Sequence, residues 1–245
     1  MSWRIEESDA LTVLRELPSG WAQTCVTRPP GDVPVGELVA VLEEVARVLR
    51  ADGTLWLALP RGGNSQRILD LLAWETALRR TERPGMPAGN VALFTNQARY
   101  LHQHRLPAAI GVERRRCASR RPGWEGARAP RRAFCVPASS HDRLFSHGLI
   151  DWCILTSTAM QACGVCGTPW RRVPAPSGRG ERWRRACAHL NGRGRSLVID
   201  PYCGRGNTGL VAQLRGRDFV GIEQSPTLAA LARDRLSLTQ PEAVR

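Results

Sequence analysis

Apolar positions near the N-terminus switch between strand-like and helix-like spacing, and turn-forming residues punctuate each switch. Trp3–Glu6 reads as a short strand, and 9–17 carries its apolar residues at helical intervals until Pro18-Ser19-Gly20 stops it. Residues 23–27 form a β-prone run that ends at Arg28-Pro29-Pro30-Gly31, a stretch unable to continue either element. Pro34 suits the first turn of a helix with the stripe Leu38, Val41, Leu42, Val45, Val48 and Leu49, and Asp52-Gly53 ends it. A buried strand is expected at 54–59, then a helix capped by Asn64 and reaching Arg80, then a strand at 91–95. Over 97–133 the periodicity fails and arginine, proline and glycine take over, as in a loop-rich insertion. Regular spacing returns as a helix over 148–160 and lapses again over 161–194. The C-terminal part is the clearest: a strand at 196–199, a glycine-bearing turn at 200–207, a helix opening at Thr208, a strand at 218–222 and a helix over 226–236. This alternation predicts an α/β fold, doubly wound around a mostly parallel sheet.

A chain of 245 residues buries one substantial core, or one core plus a small satellite module, so 1–245 is read as a single domain. The apolar runs are strand-sized and too short to span a bilayer. The N-terminus carries early acidic residues and no apolar signal core, which predicts a cytoplasmic protein. In that setting eight cysteines read as reduced thiols or metal ligands.

Charge alters the picture through its placement. The formal net charge is +13, every basic side chain is arginine, and the excess lies in two segments. Residues 97–133 hold ten arginines against two glutamates, and 171–195 hold eight against one. Biased codon usage accounts for arginine replacing lysine but not for this clustering. Arginine concentrated beside Trp124 and Trp183 suits phosphate contact and base stacking, so DNA or another nucleic acid is the expected partner and 97–133 the expected target-recognition segment.

Cys163-Gly164-Val165-Cys166-Gly167 is a CxxC turn, with Cys187 and His189 about twenty residues later. Together they make a plausible tetrahedral set for structural zinc, which predicts a zinc-knuckle insertion over 161–194. A thioredoxin-like redox pair is the alternative, although no thioredoxin pattern surrounds the turn. Arg171, Arg172, Arg182, Arg184 and Arg185 would decorate the knuckle and face a nucleic-acid backbone.

The segment 200–209, Asp-Pro-Tyr-Cys-Gly-Arg-Gly-Asn-Thr-Gly, sits where a strand hands over to a helix, and Glu223 closes the next strand. Glycines there let a ligand approach the backbone, the helix start offers unpaired N–H donors, and the acid accepts from ribose hydroxyls. On spacing alone a dinucleotide and S-adenosylmethionine fit equally well. The wording of the segment, followed by Gly221-Ile222-Glu223, closely resembles the DPFCGSGTTG…GIE signature of DNA amino-methyltransferases. The resemblance implies a seven-stranded-type methyltransferase sheet with S-adenosylmethionine as cofactor. It assigns Asp200, Tyr202, Cys203, Gly204, Gly206 and Thr208 to the methionine part of that cofactor and Glu223 to the ribose. Arg205 and Asn207 stand where the family usually has Ser and Thr.

That family also places Asp/Asn/Ser-Pro-Pro-aromatic at another strand end. A base amine is a poor nucleophile because its lone pair is delocalised into the ring. Acceptors for its hydrogens push it toward tetrahedral geometry, the prolines fix the loop, and the aromatic ring stacks on a flipped base. The corresponding residues here are Thr27, Arg28, Pro29 and Pro30, then Gly31. Arg28, which has no acceptor, replaces the polar residue, and Gly31 replaces the ring. Thr27 serves as acceptor only with a one-residue shift. Asp9 and Ala10 resemble the family's cofactor-adenine contact, and the helix after Phe145 resembles the segment completing the pocket. This order, with the glycine loop last, matches the permuted branch of the family. The resemblance covers roughly 1–59 and 145–236 and implies a site-specific DNA methyltransferase of a restriction–modification system, cytosine N4 favoured over adenine N6. A catalytically silent DNA-binding relative is the rival reading, drawn from Arg28 and Gly31.

Overall fold

Among the 245 residues, the computed structural model describes 3–58, 79–81, 91–95, 147–176, 181–190 and 193–239. The strands in its N-terminal part are β1 (Trp3–Glu6), β2 (Ala22–Thr27), β3 (Leu49–Ala58), β4 (Arg79–Thr81) and β5 (Val91–Thr95). They are followed by β6 (Ala162–Cys163), β7 (Arg171–Pro174), β8 (Glu181–Arg184), β9 (Arg193–Gly194), β10 (Leu197–Asp200) and β11 (Asp218–Ile222). The helices are α1 (Ala10–Glu16), α2 (Val35–Val48), α3 (His147–Ser157), α4 (Asn207–Leu214) and α5 (Pro226–Ser237).

Seven strands form one sheet in the order β1-β11-β10-β2-β3-β5-β4. Its first five members run parallel, and β5 is antiparallel to both neighbours. Alternate side chains point to opposite faces. Cys25, Leu55, Leu57, Ile199 and Val220 pack against Val13 and Leu14 of α1 and Leu38, Leu42 and Val45 of α2. Val26, Trp56, Val198 and Phe219 pack against Ile150 and Ile154 of α3, Val211 of α4 and Ala229 and Ala232 of α5. Both faces are therefore covered, which is why β2 and β10 read as continuous buried runs. β10 lies between β2 and β11, so the C-terminal part of the chain is inserted beside the N-terminal part. From that boundary β10 leads outward to β11 while β2 leads the other way to β3. Ligands of open α/β sheets bind at such a switch point, beyond the carboxyl ends of the strands.

Three elements depart from the sequence pattern. α2 stops at Val48, and Leu49–Ala58 is already strand, so Asp52-Gly53 does not end the helix. The register jumps from Ala22↔Leu49 to Thr24↔Thr54, and the extra β3 residues fold into a tight bend. Gly53 is needed in that bend, because an added Cβ would lie 2.9 Å from the Arg50 carbonyl oxygen. Arg79 and Arg80, expected at a helix end, instead pair with Thr95 and Phe94 of β5, where the backbone ladder overrides helical spacing. Segment 161–194, read as irregular, contains two small two-stranded sheets, β6 with β9 and β7 with β8. Most of the helix expected from Asn64, and all of 97–133, lie outside the described residues. No helix among the described residues is long and apolar enough to cross a membrane.

Candidate active site

The carboxyl ends of β10 and β2 meet through Asp200. Its Oδ1 accepts from Thr27 Oγ1 at 2.7 Å and from the Tyr202 amide at 3.1 Å, and its Oδ2 accepts from Thr208 Oγ1 at 2.6 Å. Thr208 lies in the first turn of α4, and its hydroxyl also reaches the Val26 carbonyl at 3.4 Å. One buried carboxylate thus joins two strand ends and a helix start, bridging 173 positions of sequence. Burial pushes its pKa up to about 6, against the pull of the Thr208, Thr27 and Tyr202 hydrogen bonds and with a push from Glu223.

Beyond Asp200 the chain turns sharply through Gly204 (φ 53°) and Gly206 (φ 77°), both in the left-handed region that favours glycine. The turn is held by Cys203 N–H to the Ile222 carbonyl at 3.0 Å and Gly206 N–H to the Cys203 carbonyl at 2.8 Å. α4 begins at Asn207 with no side chain capping its first amides. Glu223 is anchored by its own amide donating to the Glu6 carbonyl at 2.9 Å. Its Oε2 accepts from Gly204 N–H at 2.8 Å and its Oε1 from Ser225 N–H at 2.9 Å. Each carboxylate oxygen keeps acceptor capacity for a further donor.

The remaining sequence-derived positions surround this pole. Asp9, exposed, caps α1 by accepting from the Thr12 amide at 2.8 Å; the Thr12 hydroxyl chiefly, then its amide, lowers the Asp9 pKa, and Ala10 beside it is buried. Phe145 lies outside the described residues; His147, which opens α3, places Nε2 3.3 Å from Asn207 Oδ1. Thr27 is fully buried with its hydroxyl donated to Asp200, Arg28 is half-buried, Pro29 is buried, and Pro30 and Gly31 are exposed. Tyr202 packs on the α1–α2 core, and its buried hydroxyl has no hydrogen-bond partner among the described residues. Cys203, Cys25 and Cys153 are buried, the first with its thiol pKa raised by desolvation, and Cys117 and Cys135 lie outside the described residues.

A second cluster lies apart from this pocket. The ligand atoms of Cys163, Cys166, Cys187 and His189 all fall within 4.8 Å of one another. Val165 N–H points at Cys163 Sγ at 3.4 Å, and Cys166 Sγ lies 3.1 Å from the Thr168 hydroxyl. That hydroxyl chiefly draws the Cys166 thiol down to about 6. Arg185, expected to face nucleic acid, stacks over Trp170 at 5.6 Å and donates to the carbonyls of His189 and Leu190. It braces the cluster, whereas Arg171, Arg182 and Arg184 are exposed.

Two residues of consequence escaped the sequence reading. Gln23, at 4% exposure, donates Nε2 to the Gly167 carbonyl at 2.6 Å and accepts at Oε1 from the Leu197 amide. Arg50 donates to the Cys166 carbonyl at 2.7 Å and pairs with Asp52. The available signal was a long polar side chain inside a β-prone run.

A glycine turn at the sheet's switch point, with an acid closing the next strand, is the arrangement seen in nucleoside-cofactor α/β folds, and the sheet matches the methyltransferase type among them. The residues fit such a cofactor: a Cβ added at Gly204 meets nothing within 4 Å, and the α4 amides and the Glu223 oxygens could hold it. The profile of the N6_N4_Mtase DNA methylase family matches residues 184–234. The Type II methyltransferase M.XycI of Xanthomonas campestris pv. cyanopsidis is 28% identical over 288 aligned positions, covering 98% of this chain and 89% of the relative. M.Cfr9I of Citrobacter freundii, also a Type II methyltransferase, is 26% identical with the same coverage. Among solved structures, the Thermus thermophilus protein TTHA0409 complexed with S-adenosyl-L-methionine has a TM-score of 0.58 at 17% identity, covering 99% of each chain. PvuII DNA methyltransferase, cytosine-N4-specific, has a TM-score of 0.58 at 14% identity, covering 100% of this chain and 89% of its own. The chain is similar over 98% of its length to Type II methyltransferases and shares its fold with a solved DNA methyltransferase, findings that support a DNA amino-methyltransferase family.

Proposed function

We propose that the chain transfers a methyl group from S-adenosylmethionine to an exocyclic amine of a DNA base, cytosine N4 in preference to adenine N6, as part of a restriction–modification pair. The observation that carries this reading is the 2.7 Å bond between Thr27 and Asp200, which fixes the proline loop beside the glycine turn. Bound there, the cofactor supplies an electrophilic methyl group on a sulfonium. Asp200, Tyr202, Cys203, Gly204, Gly206 and Thr208 would hold its methionine part, Glu223 the ribose, and Asp9, Ala10 and Phe145 the adenine. Pro29 and Pro30 stiffen the loop at which the target amine arrives. Because Thr27 is fully buried, its hydroxyl oxygen is out of reach of a base, and backbone carbonyls of 28–30 would accept the amine hydrogens. The cytosine preference rests on the Thr-x-Pro-Pro opening of that loop. Arginine clustered over 97–133 and 171–195 supports DNA as the partner, with 97–133 as target-recognition segment within one domain. The cluster of Cys163, Cys166, Cys187 and His189 is read as a zinc site, argued below.

Arg28 and Gly31 favour a second reading, a silent relative that binds cofactor and DNA without turnover. Transfer of tritiated methyl to mixed-sequence DNA separates the two. Incorporation that disappears in Asp200→Ala supports the enzyme. Calorimetric cofactor binding with no incorporation supports the silent relative, and label found only on RNA or protein moves the acceptor. Arg28→Ser combined with Gly31→Tyr is expected to raise transfer; an unchanged rate in that double variant counts against the assignment of the loop.

A further inference from the structure

The cysteine–histidine cluster docks on the sheet at the pole opposite the glycine turn. Its loop touches Gln23 near the start of β2 and Arg50 near the start of β3 and reaches the start of β10 through Gln23, whereas the glycine-turn site is built from the last residues of β2 and β10. The Gly167 carbonyl accepts from Gln23, the Cys166 carbonyl accepts from Arg50, and Gln23 in turn accepts from the Leu197 amide. Leu197 opens the strand that ends at Asp200, and Gln23 opens the run that ends at Thr27. At about 3.3 Å per strand residue, the two poles stand on the order of 10 Å apart. A metal there is too remote to touch the reacting methyl group.

The donor set itself is closed. Three sulfurs and one imidazole nitrogen converge, with an N–H directed at Cys163 Sγ and Gly167 at φ 66° turning the loop. Such a soft, four-donor set selects zinc and leaves no open position for a substrate. A redox disulfide needs only Cys163 and Cys166, and gives no reason for Cys187 and His189 to converge with them. The Gly167 position is also crowded: an added Cβ would lie 3.3 Å from Gln23 Nε2, so loop and strand fit closely.

We propose that Cys163, Cys166, Cys187 and His189 hold a structural zinc ion whose loop, through Gln23 and Arg50, sets the starts of β2 and β10 and thereby the cofactor pocket at their far ends. The coupling half of this inference rests on the pocket reading above; the metal half does not.

Four readouts on the native protein test it. Elemental analysis of protein purified without a metal-binding tag is expected to give about one zinc per chain, falling to background in Cys163→Ser combined with Cys187→Ser. His189→Cys, which keeps four donors, is expected to retain the metal. Chelation is expected to lower the melting temperature and speed amide exchange at 197–200. Gln23→Ala keeps every ligand, so it is expected to retain zinc while weakening S-adenosylmethionine binding by roughly fivefold, the loss of about one hydrogen bond. Metal-free native protein, or a Cys163–Cys166 disulfide found by mass mapping, overturns the site. Unchanged exchange at 197–200 after metal removal, or undiminished cofactor affinity in Gln23→Ala, overturns the coupling. If the native protein binds zinc but no S-adenosylmethionine, the pocket reading fails and the metal and exchange readouts still decide the rest.

Discussion

Asp200 is 2% exposed and accepts three hydrogen bonds, yet burial still raises its pKa to about 6 from 3.8. The folded state therefore holds the ionised form less readily than the unfolded chain does. Its contribution to stability is lost as pH rises from about 4 through 6, a penalty on the order of 3 kcal/mol above that range. A cationic cofactor bound beside it reverses the preference. Affinity for S-adenosylmethionine is then expected to fall about tenfold per pH unit below 6, and the slope to vanish in Asp200→Asn. Calorimetric titrations between pH 5 and 8 check this, and equal slopes for the two proteins would contradict it. Tyr202 gives a simpler case. Its buried hydroxyl has no partner among the described residues, so Tyr202→Phe is expected to remove an unsatisfied group. Chemical denaturation is expected to show that variant about 1 kcal/mol more stable, and a loss of similar size would mean the hydroxyl has a partner.

At the scale of elements, α4 sits on β11 through glycine. An added Cβ at Gly209 would meet the Phe219 ring at 2.6 Å, and that ring is fully buried. Gly209→Ala is expected to cost about 1–3 kcal/mol in denaturation, because neither helix nor ring has room to move. A neutral effect would show that α4 slides freely over the sheet.

Elements of this kind were legible where local chemistry and tertiary context agree. β1, β5 and β11 follow their apolar runs to the residue. α5 starts at Pro226 with Ser225 capping it, as capping rules require. The helix–strand boundary at 48–53 was not legible, since the bend there is set by β2 pairing and by Arg50 reaching Cys166, contacts distant in sequence. Asp200 and Glu223 were visible as family wording, and their geometry suits the roles proposed. The engagement of Thr27 with Asp200 was invisible, because nothing local tells a threonine at a strand end which way its hydroxyl turns. Gln23 was missed for the same reason.

Over the whole molecule, the decisive feature is the insertion of β10 between β2 and β11, which brings two remote segments together at one end of the sheet. The pocket occupies one pole of the sheet and the cysteine–histidine cluster the other. The most direct measurement is a calorimetric titration of S-adenosylmethionine into the native protein and into Thr27→Val. That substitution keeps the shape and removes only the donor to Asp200, which lies 173 positions away. The account predicts binding by the native protein and an affinity lower by about tenfold in Thr27→Val, the loss of a hydrogen bond to a charged group. No binding by the native protein, or equal affinity in the two, would contradict it.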